Sequence, residues 1–340
     1  SYMKTITKGK NMNNLKKVGL TALAGSLAAI SANAAEMTVS GATLLTYTSG
    51  HSTEVTGNPL GMKTNLGFTA SGEVNGYTVS YMQTSKDKFA GMSSARLSVD
   101  MGDMGTIAFD QGSGSGLGTI DDKTPTAAEE IWDGLDAAAA SAADKNGLVG
   151  TTGASGVINY VQTIEGITFN GAWRKGAGGA ASDGGTTQGA SEGAYDFALT
   201  AAGDTLGAPG LTAGLGYGVE KDGSGDDKHN TVFANYAVGP VTFGAQLSKI
   251  DNGGTTTDTE TQAFGIAFNV NDNLSVSYGV RDVEYQKNNA ANVTEDGEGI
   301  AIAYTMGSIK IAGNRNEVSN NHGTLLNEDS MTEIALSFAF

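Results

Sequence analysis

The sequence predicts an all-β protein, a 16-stranded antiparallel transmembrane β-barrel with an inward-folded third loop. Three observations predict it. Side chains alternate with period two over most of the chain, short turns alternate with long polar loops, and a secretory leader precedes the first strand. Composition agrees, since 50 glycines, 4 prolines and 7% aromatics suit strands and turns better than helices.

The leader comes first in the chain. An apolar stretch at 18–32 follows Lys16 and Lys17 and runs into Ala32-Asn33-Ala34, a small-x-small cleavage pattern. Gly19, Thr21, Gly25, Ser26 and Ser31 dilute it, so it falls short of the ~20 apolar residues of a spanning helix. Residues 1–34 are therefore expected to be upstream residues plus a signal peptide, with Met12 a natural start, and 35–340 a single barrel domain. The leader takes five lysines with it, leaving 15 bases against 36 acids, a formal charge of −21. That excess argues against nucleic acid as a partner and for a surface that attracts cations. With no cysteine, disulfide frameworks, thiolate zinc sites and cysteine nucleophiles are excluded together.

Strands are predicted at 36–47, 62–71, 76–84, 93–101, 104–110, 156–163, 166–174, 193–201, 210–220, 229–238, 240–250, 260–269, 273–285, 297–306, 308–318 and 330–340. In the last, Ile334, Leu336, Phe338 and Phe340 share one face while Glu333, Ala335, Ser337 and Ala339 share the other. Val241, Phe243, Ala245 and Leu247 stand against Thr242, Gly244, Gln246 and Ser248 in the same way. Short links fall at 72–75, 102–103, 164–165, 202–209, 239–240, 271–272 and 307, and long ones at 48–61, 85–92, 111–155, 175–192, 221–228, 251–259, 286–296 and 319–329. An even strand count with turns at one end and loops at the other is the up-and-down pattern of a membrane barrel. A soluble sandwich would expose a charged face, whereas these polar faces are mostly Gly, Ala, Ser and Thr.

Three short motifs then carry a resemblance. The opening Glu36-Met37-Thr38-Val39-Ser40-Gly41, the turn Met101-Gly102-Asp103-Met104-Gly105-Thr106-Ile107 before the longest loop, and the terminal Phe340 occur in this order. Over nearly all of the mature region the chain resembles the general-diffusion porins of Gram-negative bacteria, particularly the acidic alphaproteobacterial branch. That resemblance implies a homotrimer in the outer membrane, surrounded by lipid and lipopolysaccharide. It also implies a third loop that narrows a water-filled pore, and passive diffusion of small polar solutes and ions without enzymatic activity. Phe340 would serve as the signal read by the barrel-assembly machinery.

The third loop, 111–155, is far longer than common connections, and such loops tend to carry function. Thr126 and Glu129 form a capping-box pattern after Pro125, and the alanine-rich 127–143 reads as a helix. Gly112 to Gly118 reads as a hinge, with no helix starting on it. Asp121, Asp122, Glu129, Glu130, Asp133, Asp136 and Asp144 against Lys123 and Lys145 give the loop a net charge of −5. Strand parity puts Lys63, Arg96, Arg174, Arg281 and Lys310 on the inner wall, so acids on the loop would face bases on the wall across a transverse field. Arg315 falls outward by the same count, which calls for a bulge or a contact with another protomer. Weak cation selectivity is the expected outcome.

Other chemistry is sparse. His51, His229 and His322 are read as loop histidines, His229 at the edge of the predicted 229–238 strand, with no nucleophile beside them. Asp222, Asp226 and Asp227 offer carboxylates to a structural calcium ion, without the spacing of an EF-hand; no other cofactor is expected. A substrate-specific channel would need aromatic or arginine tracks along the lumen, an adhesin longer loops, and a barrel lipase a serine–histidine pair on the outer wall. Liposome swelling with sugars of graded size separates these readings. An open pore gives rates that fall smoothly with solute size, a specific channel gives rates set by sugar identity, and an adhesin gives none.

Overall fold

The computed structural model describes residues 36–50, 59–85, 91–135, 147–153, 155–175, 192–221, 225–254, 257–287 and 290–340. The expected leader lies outside them. Sixteen strands form, each overlapping its predicted span: β1 Glu36–Gly50, β2 Leu60–Val74, β3 Tyr77–Ser85, β4 Met92–Asp100, β5 Thr106–Gln111, β6 Ser155–Ile164, β7 Ile167–Lys175 and β8 Gly193–Ala202. They continue as β9 Leu211–Lys221, β10 Asp227–Val238, β11 Val241–Asp251, β12 Asp258–Asn269, β13 Leu274–Gln286, β14 Val293–Met306, β15 Ile309–Ser319 and β16 Asp329–Ala339. Every strand pairs antiparallel with its sequence neighbours, and β16 returns to β1 to close the barrel.

Closure is completed at the last residue. Phe340 N–H donates to Gly41 O at 2.9 Å, and Gly41 N–H donates to Phe340 O at 2.8 Å. With no open edge, every strand has two hydrogen-bonded neighbours, the condition for a sheet in hydrocarbon. The first turn-side link is tighter than predicted, 75–76 rather than 72–75, while those after β4, β12 and β14 are longer than the predicted 102–103, 271–272 and 307. Asn75-Gly76 and Glu165-Gly166 carry positive φ at both positions, the conformation of two-residue hairpins whose twist matches the flanking strands. Strand pairing therefore extends to Val74, beyond the predicted end of β2. The link at 202–209 holds a short helix, Gly203–Leu206.

The two faces are inverted relative to a soluble protein. Leu97, Phe109, Trp173, Leu215, Phe264, Ile300 and Ile334 are exposed, while Asp110, Asp196, Gln246, Arg281, Glu295 and Asn316 are buried. Such an apolar exterior is the lipid-facing surface of a barrel, a band about 25 Å tall. On it, Tyr160, Phe169, Phe197 and Tyr217 run across four strands with ring centroids 6.2 to 6.5 Å apart. Buried apolar contacts gather elsewhere. Leu117, Ile120, Val149, Ala198, Phe233 and Ile250 form one cluster, and Leu135, Val318 and Met331 another. Both join the third loop to the inner wall.

His229 is a correction to the loop reading of the histidines. It lies within β10 on the buried face and accepts from Gly150 N–H at 3.0 Å. The strand starts earlier than predicted because Asp227 and Lys228 already pair with Glu220 and Val219.

The seam supplies a test of closure. A Cβ on Gly41 would sit 2.5 Å from Leu66 Cδ2 and 2.7 Å from Phe340 Cε2. Gly41→Val is expected to cost about 1–3 kcal/mol by overpacking, seen as a lower melting temperature of the heat-modifiable barrel on gels.

Candidate functional site

The third loop leaves the wall at a register shift between Asp110 and Gln111, and Asp110 organises its exit. That carboxylate, 1% exposed, accepts from Ser113 N–H at 2.9 Å and from the Ser115 hydroxyl at 2.7 Å. Arg96 stands 3.5 Å from it and donates to Gly114 O at 3.3 Å and to Asn159. The glycine-rich stretch is thereby folded onto β4 and β6 and continues as a 3₁₀ helix, Gly116–Ile120. The expectation that no helix starts on this stretch is corrected: with Gly116 at φ 59°, the chain turns tightly enough to begin one.

From there the loop lies in a bed of glycines. A Cβ on Gly216 of β9 would collide with Leu117 and lie 3.2 Å from Ile120 Cδ1. On Gly244 of β11 it would meet the Pro125 ring, and on Gly265 of β12 it would be 2.9 Å from Pro125 O. On Gly279 of β13 and Gly299 of β14 it would lie 3.0 and 2.8 Å from Ile131 Cγ2. Four apolar side chains of the loop thus occupy positions where the wall has no side chain. The small inner face noted in the sequence is the seat of this segment.

Polar wall side chains hold the loop by its main chain. Asn170 accepts from Gly116 N–H at 2.9 Å. Gln246 accepts from Lys123 N–H at 2.6 Å and donates to Ile120 O and Asp121 O, both at 2.9 Å. Ser277 accepts from Ala127 N–H at 2.8 Å, Asn316 donates to Glu130 O and Asp133 O at 3.0 Å, and Asn321 donates to Leu135 O at 2.9 Å. These bonds satisfy backbone groups that would otherwise be buried without partners. They also explain why the helix predicted from Ala127 is absent over its described part, which is bends and turns to Leu135. Carbonyls needed by a helix are taken by Asn316 and Asn321. Thr126 still bonds locally, accepting from Ala128 N–H and donating to Glu129 O, but no helix follows. Residues 136–143 lie outside the described residues.

The arrangement brings Asp121, Asp122, Glu129, Glu130 and Asp133 onto one seated segment; Asp136 lies outside the described residues. Glu129 is exposed and the other four half-buried. Asp122 accepts from Trp132 Nε1 at 2.8 Å. Burial raises the Asp121 carboxyl above its ordinary range, and repulsion from Asp122 adds to this. Burial likewise raises Glu130, with the charges of Asp122, Glu129 and Asp121 acting in the same direction. Among the described residues, Asp121, Asp122, Glu129 and Glu130 enter no ion pair.

The wall bases are placed differently from one another. Arg96 is tied to the loop exit; Arg174, buried, lies 2.7 Å from Glu220, and Arg281, buried, 3.6 Å from Glu295. Lys63 of β2 is exposed and Lys310 of β15 half-buried. Three of the five predicted bases are thus matched to wall acids rather than set against the loop acids. Asp110, Asp196, Glu220 and Glu295 were missed in the sequence, although strand parity puts all four on the inner face. Arg315 is outward as predicted, yet β15 pairs without a bulge, and Arg315 bonds Glu317 and Thr332 on the outer wall. Asp222 lies outside the described residues, while Asp227 accepts from Gly253 N–H at 2.7 Å. Among the described residues no three acids or histidines cluster to hold a metal ion.

Comparison with known proteins follows this geometry. The Gram-negative porin family matches residues 19–323. This chain belongs to the Gram-negative porin family. Solved structures share the fold at low identity. The anion-selective porin from Comamonas acidovorans is 14% identical with a TM-score of 0.61, covering 90% of this chain and 100% of its own. OmpT of Vibrio cholerae, in its trimer form, is 12% identical with a TM-score of 0.64 over 90% and 100%. OmpF of Salmonella typhi, in complex with daunomycin, is 12% identical with a TM-score of 0.63 over 91% and 98%. A search of curated protein sequences found no match. This porin is a channel protein of the outer membrane, not an enzyme, and passes small hydrophilic solutes and ions by diffusion.

The glycine bed gives the site its test. Gly299→Val puts new atoms where Ile131 rests, so the loop is expected to ride away from the wall into the porin's bore. Single-channel conductance in a planar bilayer should fall, while the barrel itself still forms heat-modifiable protein.

Proposed function

We propose that the third loop is the constriction of this porin and that its acids make the channel weakly cation-selective. One observation carries the reading: the loop is bound by its main chain and apolar side chains, so that Asp121, Asp122, Glu129, Glu130 and Asp133 sit together on a fixed segment inside the barrel. Their field acts on ions in a narrow aqueous path, where rings or rows of carboxylates favour cations. Of the five predicted wall bases, Lys63 and Lys310 are left to oppose them, which keeps the preference weak. A related barrel that is anion-selective supports treating the sign of selectivity as a property of side chains rather than of the fold.

Reversal potentials under a salt gradient test this directly. A modest cation preference is expected; a clear anion preference would sink the reading. Replacing Asp121→Asn together with Glu130→Gln should move the reversal potential toward zero at neutral pH.

The pH dependence has a defined sign. Because Asp121 and Glu130 are raised, each takes up its proton at a higher pH than an exposed carboxylate. Cation preference should therefore begin to fall on acidification while exposed acids are still ionised. For stability the neutral forms are favoured in the seated loop, so this contribution is present below the ordinary carboxylate range and lost as pH rises through the raised values. The double variant should flatten the selectivity profile across that interval.

Self-association belongs to the same reading. OmpT, which shares the fold, is described in a trimer form, and a homotrimer is proposed here as well. The exposed apolar band would meet lipid and lipopolysaccharide, and Phe340, which closes the seam, would be the residue read by the barrel-assembly machinery. Calcium at the loop carrying Asp222, Asp226 and Asp227 remains a minor proposal, tested by isothermal titration of the folded porin with the metal alone.

A further inference from the structure

The neck of the third loop closes on one buried carboxylate. Asp196, 4% exposed on β8, accepts from Leu117 N–H at 2.9 Å, where the loop starts across the wall. It also accepts from Thr151 N–H at 3.4 Å, the Thr151 hydroxyl at 3.0 Å, Thr152 N–H at 3.0 Å and the Thr152 hydroxyl at 2.9 Å, where the loop returns. Two limbs 34 residues apart in sequence thus meet on the same pair of oxygens. Five donors satisfy the charge without a base, since Asp196 enters no ion pair among the described residues.

Its surroundings leave room for nothing else. A Cβ on Gly116, already at φ 59°, would strike Asp196 Oδ1, and one on Gly218 would lie 2.7 Å from Asp196 Cβ. The loop begins on β5, and β8 is three strands further round the barrel. Asp196 therefore draws the neck sideways along the wall before the segment spreads over the glycine bed. Asn170, Gln246 and Asn316, the neutral anchors, each bond one limb.

We propose that Asp196 is the positioning residue that sets the bore of this channel, by stapling both limbs of the third loop to β8. The inference rests on the reading that this loop is the constriction. Charge is what the role needs: a carboxylate only accepts, and all five partners donate. Leu117 N–H bonds Oδ1 and the threonine donors bond Oδ2, so an amide, which keeps one oxygen, turns its N–H₂ group on the donors of one limb and unties it from the other. A staple that closes the neck of a long loop also removes chain entropy that the remaining anchors would otherwise have to hold down.

Full-length Asp196→Asn and, separately, Thr151→Val with Thr152→Val would be reconstituted in planar bilayers and liposomes. Both are expected to give noisier single-channel currents and an upward shift in the sugar exclusion limit, with heat-modifiable mobility on gels retained. Since the chain has no cysteine, Asp196→Cys combined with Thr151→Cys supplies a rescue. Quiet, normal-sized channels should return on oxidation and be lost on reduction, a reversal that a general loss of stability would not give. If Asp196→Asn does not fold, the threonine pair carries the test. Quiet channels of normal size in the variants that fold overturn the proposal. Should the Asp121→Asn, Glu130→Gln porin shift its reversal potential while the Asp196 and threonine variants behave normally, the constriction reading stands and the staple falls; if none changes, both fall.

Discussion

Backbone hydrogen bonding without water is the constraint from which the rest of this structure follows. In hydrocarbon an unpaired N–H or carbonyl costs several kcal/mol, so the sheet must close, and here it closes through reciprocal bonds between Gly41 and Phe340. Closure of alternating strands sorts the side chains into two sets. Large apolar groups face outward, and small or polar ones face in. The interior is then too wide for its wall side chains to fill, and a segment of the chain itself enters.

The same constraint governs that segment. Once the third loop lies inside the barrel its backbone groups need partners, and the wall supplies them from Asn170, Gln246, Ser277 and Asn316. Glycines on β9 and on the four neighbouring strands β11 to β14 let Leu117, Ile120, Pro125 and Ile131 lie close. The wall thus recognises the loop by main chain and shape. Two of its carboxylates also brace the segment itself: Asp121 accepts from Asp122 N–H, and Asp122 accepts from Thr124 and from Trp132 Nε1.

Charge is distributed in two layers. On the wall, Arg281 with Glu295 forms a buried pair, costly to desolvate, and buried Arg174 pairs with half-buried Glu220, so both arginines brace strands. Of the five predicted wall bases, exposed Lys63 and half-buried Lys310 are outside these pairs and outside the contact of Arg96 with Asp110. The simple opposition of acidic loop and basic wall that composition suggests gives way to pairing within the wall for Arg96, Arg174 and Arg281.

Much was legible in the sequence because period-two alternation and link length are local properties. Sixteen strands, their two faces, the outward Arg315 and the importance of the third loop follow from counting along the chain. Helix propensity at Ala127 was also local, and it failed there: tertiary partners on β15 and in the loop after it took the carbonyls that a helix would have used. The start of β10 was set late for a related reason, since pairing with β9 carries the strand two residues before His229 and makes that histidine an interior position of the ladder. What the sequence alone determined is the closed sheet, its two faces and the acidic character of the third loop. Which bases are matched to wall acids, where the loop lies, and that Asp196 joins residues as distant as Leu117 and Thr151 were decided by the tertiary structure, because those contacts depend on strand register around the barrel and leave no periodic trace along the chain.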